Sequence, residues 1–257
     1  MEAAVDAREL EAKVKDMYRH VAEEPDGEYH FEMGRRLADR LGYPADVLDR
    51  IPEAAIESFA GVGYFFDLAG LNEGERVIDL GSGSGMDVLF AALGVGPSGA
   101  VVGIDFTNEQ LEKARALAAE AGFDQVEFRE GRIESLPVED ESFDCAISNG
   151  VINLSPEKDR VFAEAARVLR PGGRLAIADI VSEQQLKESI VCDVDLWASC
   201  IGGAAQEDAY RDAIEGAGLR VDQIKENTYE FISERARDAS AKYGVRSVSV
   251  LATKAQA

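Results

Sequence analysis

The sequence predicts an α/β fold with a mostly parallel sheet, and three observations carry that expectation. From residue 76 onward, short apolar β-rich runs alternate with segments of helical period, the order that builds parallel strands joined by crossover helices. A glycine-rich turn joins the first run to the first of those helices. Two longer β-like runs lie near the C-terminus, where they would close the sheet as a late pair.

Taken in order, the runs at 76–80 (RVIDL), 101–105 (VVGID), 126–129 (VEFR), 143–148 (FDCAIS) and 174–180 (RLAIADI) are expected as successive strands. Helices are expected between them at 86–93, 108–121 and 157–169. The second begins after Thr107, a residue type that caps helix N-termini, and stops at Gly122. The third follows Ser155-Pro156, a cap with proline in the first turn. Beyond residue 180, a helix is expected at 207–217 and the late β-like runs at 221–231 and 245–254. Residues 1–70 differ, reading as short helices broken by Gly and Pro at 25–27, 42–44 and 52. The expected organisation is therefore a helical lid over 1–70, a ligand-binding core over 71–181, and a segment at 182–257 that completes the sheet on the substrate side. No repeat, low-complexity tract or flexible linker interrupts it.

Charge narrows the partners. Across 257 residues, 27 Lys+Arg face 49 Asp+Glu, a formal net charge of −22. Such a surface opposes the clustered cations that nucleic acid or an anionic membrane requires, so neither is expected as a partner. Disorder does not follow, because 46% of the residues are hydrophobic and they run the length of the chain. Lysine is scarce, confined to Lys13, Lys15, Lys113, Lys158, Lys187, Lys225, Lys242 and Lys254, while Arg supplies the other 27 − 8 = 19 cations. Acid excess with little lysine predicts a halophilic protein: at about 1 M salt the Debye length is roughly 3 Å and surface carboxylates no longer repel one another.

Cys145, Cys192 and Cys200 form an odd set without a C-x-x-C pair, which fits a reducing, cytoplasmic compartment. The charged, helical N-terminus has no apolar export region, and no run of 18 apolar residues occurs. No zinc-type His/Cys spacing or EF-hand pattern is present, so no metal is expected.

The sharpest functional signal is VIDLGSGSGMD, in which the strand at 76–80 runs into Gly81, Ser82, Gly83 and Gly85 and then into a helix. Glycine there lets the backbone turn sharply and approach a ligand beside a helix N-terminus. The dinucleotide fingerprint is G-x-G-x-x-G, and Met86 stands where its third glycine belongs. Asp105 ends the second strand, 105 − 81 = 24 residues on, where a carboxylate can accept hydrogen bonds from both hydroxyls of a ribose. An NAD(P)-dependent oxidoreductase would account for the glycines and Asp105 alone. Further on come the I-E-S-L-P segment at 133–137, Phe143-Asp144, and L-R-P-G-G at 169–173.

With these motifs together, residues 70–181 resemble the class I S-adenosylmethionine (SAM) dependent methyltransferases. The resemblance implies a Rossmann-like, seven-stranded, mostly parallel sheet with an antiparallel final strand, and S-adenosyl-L-methionine as cofactor. It implies that Asp79 and the loop Gly81, Ser82, Gly83 and Gly85 hold the methionine part, and that Asp105 holds the ribose. Phe106 and Ile133 would flank the adenine with Glu134 close by, and Asn149 would face the cofactor. Arg132 stands where many relatives place an acidic residue.

A narrower resemblance, to the arsenite methyltransferase subfamily, lies in GSGSGMDVLFAA, SNGVINLSPEKDRVFAEAARVLRPGGRL and DLWASCIGGAAQEDAYRDAIEGAGL. Cys200 in C-I-G-G-A matches the family's C-I-x-G-A, whose cysteine binds trivalent arsenic; members use three soft thiolates for this. Gly150 stands where the family's S-N-C-V-x-N-L has cysteine, and SFAGVGYFF lacks the cysteine found in that stretch of the family. The expected activity is methyl transfer to a small-molecule acceptor. A thiol or arsenite lone pair needs no base; for an oxygen or carbon nucleophile the candidates are Tyr29, His30, Glu32 and Asp179. A SAM-binding regulatory protein that has lost transfer chemistry stands as the non-enzymatic alternative.

Overall fold

The computed structural model describes residues 7–25, 27, 29, 31–191, 193, 196–197 and 201–256. Four strands of the core fall where apolar β-branched runs meet turn residues: β1 (Arg76–Leu80), β2 (Ala100–Asp105), β3 (Val126–Glu130) and β4 (Phe143–Asn149). The chain continues into β5 (Leu169–Ser182), a two-residue β6 (Ala205–Gln206), β7 (Leu219–Glu226) and β8 (Arg246–Lys254). The order across the sheet is β3-β2-β1-β4-β5-β8-β7, with β6 beside β5. All pairs from β3 to β5 are parallel, and β8 inserts antiparallel between β5 and β7. This is the seven-stranded sheet with an antiparallel last strand expected from the resemblance, plus the β6 stub.

Both faces of the sheet are covered, so the strands read as continuous apolar runs. On one face Val77, Val101, Cys145, Ile147 and Ala178 join a core with α6 (Met86–Val95) and α7 (Asn108–Glu120). The helices of the N-terminal part, α2 (Gly34–Leu41), α3 (Ala45–Leu48), α4 (Glu53–Glu57) and α5 (Phe66–Ala69), pack into that same core through Leu37, Leu48, Ile56 and Phe66. On the other face Ile78, Leu80, Val102 and Ile104 meet Phe162 of α8 (Lys158–Val168) and Ile214 of the helix Glu207–Gly216. Fully burying one such Leu, Ile or Phe contributes roughly 1.5–3 kcal/mol, and a core on both faces makes the sheet a rigid platform. The order reverses between β1 and β4, so the crevice at the C-terminal ends of these strands is where such a sheet binds ligands.

Two sequence expectations change. The fifth strand, expected from 174, starts at Leu169 and so takes in L-R-P-G-G as its first five residues: Leu169 pairs with Phe143, the register then shifts, and Gly172 lies at φ +78° beside the irregularity. The run expected at 221–231 spans Leu219–Glu226 instead, and just beyond it the Asn227 side chain bonds Ser247 and Ser249 of β8. Cys145, fully buried within β4, has its thiol pushed up to about 12 by desolvation, as befits a core residue.

Candidate functional site

A cavity of about 190 Å³ opens at the reversal point between β1 and β4. Its floor is the loop after β1. Gly81 and Ser82 donate backbone hydrogen bonds to Ile104 O at 2.8 and 2.9 Å, stapling the loop to the end of β2. Gly81 has φ +83°, and a Cβ there would meet Val151 Cγ1 at 2.5 Å, so the turn demands glycine twice over. Gly85, at φ +91°, caps α6 and turns its first residues, Met86 and Asp87, onto the cavity wall.

Asp105 braces the loop from the neighbouring strand. Its Oδ2 accepts the Gly83 N–H at 2.9 Å and its Oδ1 the Thr107 N–H at 2.8 Å, while the carboxylate still lines the cavity. Burial pushes its pKa up, and the hydrogen bonds from Thr107 and Gly83 oppose that push. Phe106, Ile133 and Glu134 line the same cavity, with Glu134 accepting a hydrogen bond from Ser155 Oγ. Asn149 reaches the wall too, but its amide is engaged elsewhere. Oδ1 accepts from Val62 N at 2.7 Å and Gly63 N at 3.3 Å, and Nδ2 donates to Tyr43 Oη, Gly63 O and Asp87 Oδ2. The sequence-predicted set Asp79, Gly81, Ser82, Gly83, Gly85, Asp105, Phe106, Ile133, Glu134 and Asn149 is thus gathered around one cavity. Cys200, His30 and Cys192 lie outside the described residues.

The mouth is covered by α1 (Ala7–Glu23), whose Leu10, Glu11, Val14 and Tyr18 line the cavity. Gln110 Nε2 donates to Tyr18 O at 2.8 Å, and Lys113 Nζ to Ala22 O at 3.2 Å, which docks α1 on α7. Arg132, the position that departs from the family pattern, reaches across to Glu11 and ties the far side of the mouth to α1.

Electrostatics select the ligand. Asp79 is only 3% exposed, lines the cavity, and accepts no hydrogen bond from any described residue; desolvation and the charges of Asp87 and Asp105 push its pKa well up. Asp87 is pushed up to about 6 by desolvation, with hydrogen bonds from Tyr43 and Asn149 opposing the shift. Among the described residues the cation on the cavity wall is Arg132, which is already paired, so a pyrophosphate would meet carboxylates there without a free counter-charge from any of them. A sulfonium with an α-ammonium meets the opposite charge it needs. Two further orphans point the same way: Ser82 Oγ and Thr107 Oγ1 are buried on the cavity wall without a hydrogen-bond partner. Thr107 therefore holds the N-cap position of α7 without capping it. The residues present fit SAM.

The candidate bases among the described residues, Tyr29, Glu32 and Asp179, do not gather here. Asp179 is buried and saturated by Asn153, Ile180 N and Tyr210 Oη, because the 3-10 turn after β4 and the helix Glu207–Gly216 close over the end of β5. Tyr29 Oη donates to Glu24 O, and Glu32 pairs with Arg40; neither lines the cavity. Sequence reasoning missed Asp87, Tyr43 and Gln110. Asp87 alone had a legible signal, as the one charged residue in the otherwise apolar helix MDVLFAALGV.

Comparison with known proteins agrees with this architecture. The family model described as methyltransferase domain matches residues 71–228. An arsenite methyltransferase of Halobacterium salinarum is 43% identical over 77% of this chain and 51% of its own length. A ubiquinone/menaquinone biosynthesis C-methyltransferase of Hahella chejuensis is 33% identical over 70% of this chain and 73% of its own. Among solved structures, an arsenic(III) S-adenosylmethionine methyltransferase of Chlamydomonas reinhardtii is 33% identical, with a TM-score of 0.66, covering 88% of this chain and 75% of that one. The chain spans about half the length of the first curated relatives it matches.

Proposed function

The chain belongs to the class I SAM-dependent methyltransferases, the methyl donor of that family being SAM, and we propose from that premise that it methylates a small-molecule acceptor in the manner of an arsenite methyltransferase-like enzyme. The observation that carries the reading is the cavity itself: a glycine loop stapled to β2, Asp105 beside it, and a buried Asp79 that, among the described residues, has no hydrogen-bond donor and faces no free cation. When bound, SAM supplies an activated methyl group on a cationic sulfonium. Asp79 and the Gly81–Gly85 loop hold its methionine part, Asp105 the ribose, and Phe106 and Ile133 the adenine. The rest of the protein's work is alignment and exclusion of water: α1 serves as lid, with Leu10, Val14 and Tyr18 as its apolar underside. No base is required of this chain if the acceptor is a soft lone pair.

The acceptor differs from a three-thiolate arsenic site. Gly150 stands against Val62, with a Cβ at Gly150 placed 3.1 Å from Val62 Cγ1, so the two segments that lack the family's cysteines make an apolar contact instead. Cys200 is the remaining thiol of that pattern. A soft cation held by one thiolate binds far more weakly than by three. The acidic, lysine-poor composition and an odd set of three cysteines without a C-x-x-C pair support a salt-rich cytoplasm as the working compartment. Methyl transfer measured with arsenite plus thiol, before and after Cys200→Ser, tests the acceptor side. Slow arsenite turnover that Cys200→Ser abolishes is expected; turnover unchanged by the substitution removes the cysteine from the site.

A further inference from the structure

Lys158 stands behind the cavity wall, in the first turn of α8. Its Nζ donates to Asn153 O at 3.1 Å and to Ser155 O at 2.8 Å, at the end of the 3-10 turn Ile152–Leu154. The same ammonium lies 4.8 Å from the centroid of the Trp197 ring, within reach of cation–π attraction. Asn153 is itself fixed, since its N–H and Nδ2 donate to Asp179 at 2.9 and 2.5 Å. Leu154, Ser155, Pro156 and Glu157 line the cofactor cavity, whereas Lys158 does not. Desolvation pushes the Lys158 pKa down to about 8, with the charges of Asp179 and Asp159 opposing, so a cation is kept where an apolar side chain would be easier to bury.

Trp197 carries that contact to two further parts of the chain. It is buried in an apolar cluster with Leu154 and with Leu10 and Val14 of α1. Leu10 and Val14 also line the cofactor cavity, so the same two side chains serve the cofactor site and the Trp197 cluster. The indole lies against Gly202 and Gly203 as well. A Cβ on Gly202 would run into Trp197 Cδ1, and one on Gly203 would sit 2.8 Å from Trp197 Cε3 and overlap Asn153 O, the carbonyl that Lys158 holds. Ile201 N and Gly202 N both donate to Leu196 O at 2.9 Å, and Ala205–Gln206 then pairs with Val181 and Ser182 of β5. In the sequence Cys200, the thiol of the acceptor reading, falls between Trp197 and Ile201.

We propose that Lys158 is a positioning residue for methyl transfer: through the carbonyls of Asn153 and Ser155 and the face of Trp197 it fastens the Gly202-Gly203 segment to the cofactor-cavity wall and to α1, so that cofactor occupancy is transmitted to the acceptor side. The inference rests on the reading of the cavity as a SAM site. The element that both sides bias is α1. A ligand beneath Leu10 and Val14 favours its docked position, and docked α1 closes the apolar cluster around Trp197. Trp197 in turn packs on the glycine pair that follows Cys200, while Lys158 keeps ring and turn in register. Without the ammonium, the 3-10 turn and the indole lose their common partner, and the acceptor side no longer follows the cofactor. Lys158 touches neither ligand in this scheme and acts through Trp197 and the turn.

The test uses the full chain and S-adenosylhomocysteine (SAH), which fills the cofactor site and cannot react. Trp197 is the sole tryptophan, so its emission reports on the clamp, while calorimetry gives the SAH Kd independently. Alkylation of Cys200 by N-ethylmaleimide, read by peptide mass, reports on the acceptor side. In the wild type SAH should change Trp197 emission with a midpoint at the calorimetric Kd and slow Cys200 alkylation about fivefold or more. Lys158→Met should bind SAH within about twofold of wild type and lose both responses. Lys158→Arg, which keeps a cation able to stack on an indole, should restore them. Trp197→Phe, a weaker partner for a cation, should lose the alkylation response and decides the matter if Lys158→Met does not fold. Bound SAH that leaves emission and alkylation of the wild type unchanged overturns the proposal, as do responses undiminished in Lys158→Met or an alkylation response undiminished in Trp197→Phe; the SAM site stands in each case. Absence of calorimetric SAH binding to the wild type overturns the SAM site, and the clamp with it.

Discussion

Replacing Asp105 by Ala separates loop architecture from ligand recognition. The carboxylate accepts two backbone N–H groups, from Gly83 at 2.9 Å and Thr107 at 2.8 Å, and these fix the glycine loop against the start of α7. Hydrogen bonds to a charged group contribute about 1.5–3 kcal/mol each, and a donor left unsatisfied in a buried setting costs about 1–3 kcal/mol. Cavity water can serve one of the two donors in the variant, so a net loss of about 2–4 kcal/mol in ligand-free stability is expected. At roughly 2–4 °C per kcal/mol for a chain of this size, the melting temperature should fall by about 4–16 °C. SAM binding should weaken by a further 1–3 kcal/mol, about 5- to 150-fold in Kd, because the ribose hydroxyls lose their acceptor. Thermal melts of the free protein and isothermal titration with SAM read the two effects separately. A melting temperature within about 1 °C of wild type would refute the bracing argument. A destabilised variant that binds SAM as tightly as wild type would refute the ribose assignment.

Gly81→Ala places a Cβ 2.5 Å from Val151 Cγ1 at a φ of +83°, and a loss of roughly 2–5 kcal/mol in urea unfolding is expected, with SAM affinity lost alongside. Stability of the free protein should fall as pH rises from about 4 to 6. Asp87 has a folded pKa of about 6 against an ordinary 3.8, so the native state binds more protons than the unfolded state throughout that window. The contribution is on the order of 3 kcal/mol, Asp79 adds to it in the same direction, and Asp87→Asn should flatten the curve measured by urea titration at each pH. With −22 net charge, the melting temperature should rise between dilute and molar KCl, and an unchanged value would remove the salt-adaptation reading.

Much of the fold was legible because its signals are local. The strand at 76–80 and the one expected at 143–148, which runs one residue further to Asn149, follow from apolar runs ending at glycine or asparagine, and Gly81 and Gly85 announce a turn that only glycine tolerates. What escaped was whatever depends on distant partners. Leu169 is a strand residue only because Phe143 lies opposite, and the tie of the Asn227 side chain to Ser247 and Ser249 joins residues some 20 positions apart. The site divides the same way. Asp79 and Asp105 sit at strand ends beside the glycine loop, where sequence spacing alone finds them. Tyr43 meets Asp87 across 44 residues and Asn149 meets Val62 across 87, contacts that no periodicity encodes. Asp179 attracted attention as a carboxylate at a strand end, yet the covering turn and Tyr210 remove it from the cavity.

The central claim, methyl transfer from SAM to a small molecule, is tested most directly by incubating the chain with methyl-labelled SAM and a fractionated metabolite extract at molar KCl, then following the label. The account predicts label in a small-molecule fraction with one SAH formed per methyl transferred, and loss of both in Gly81→Ala. Tight SAM binding with no label passing to extract, arsenite or protein would contradict it and identify a SAM-binding protein without transferase activity.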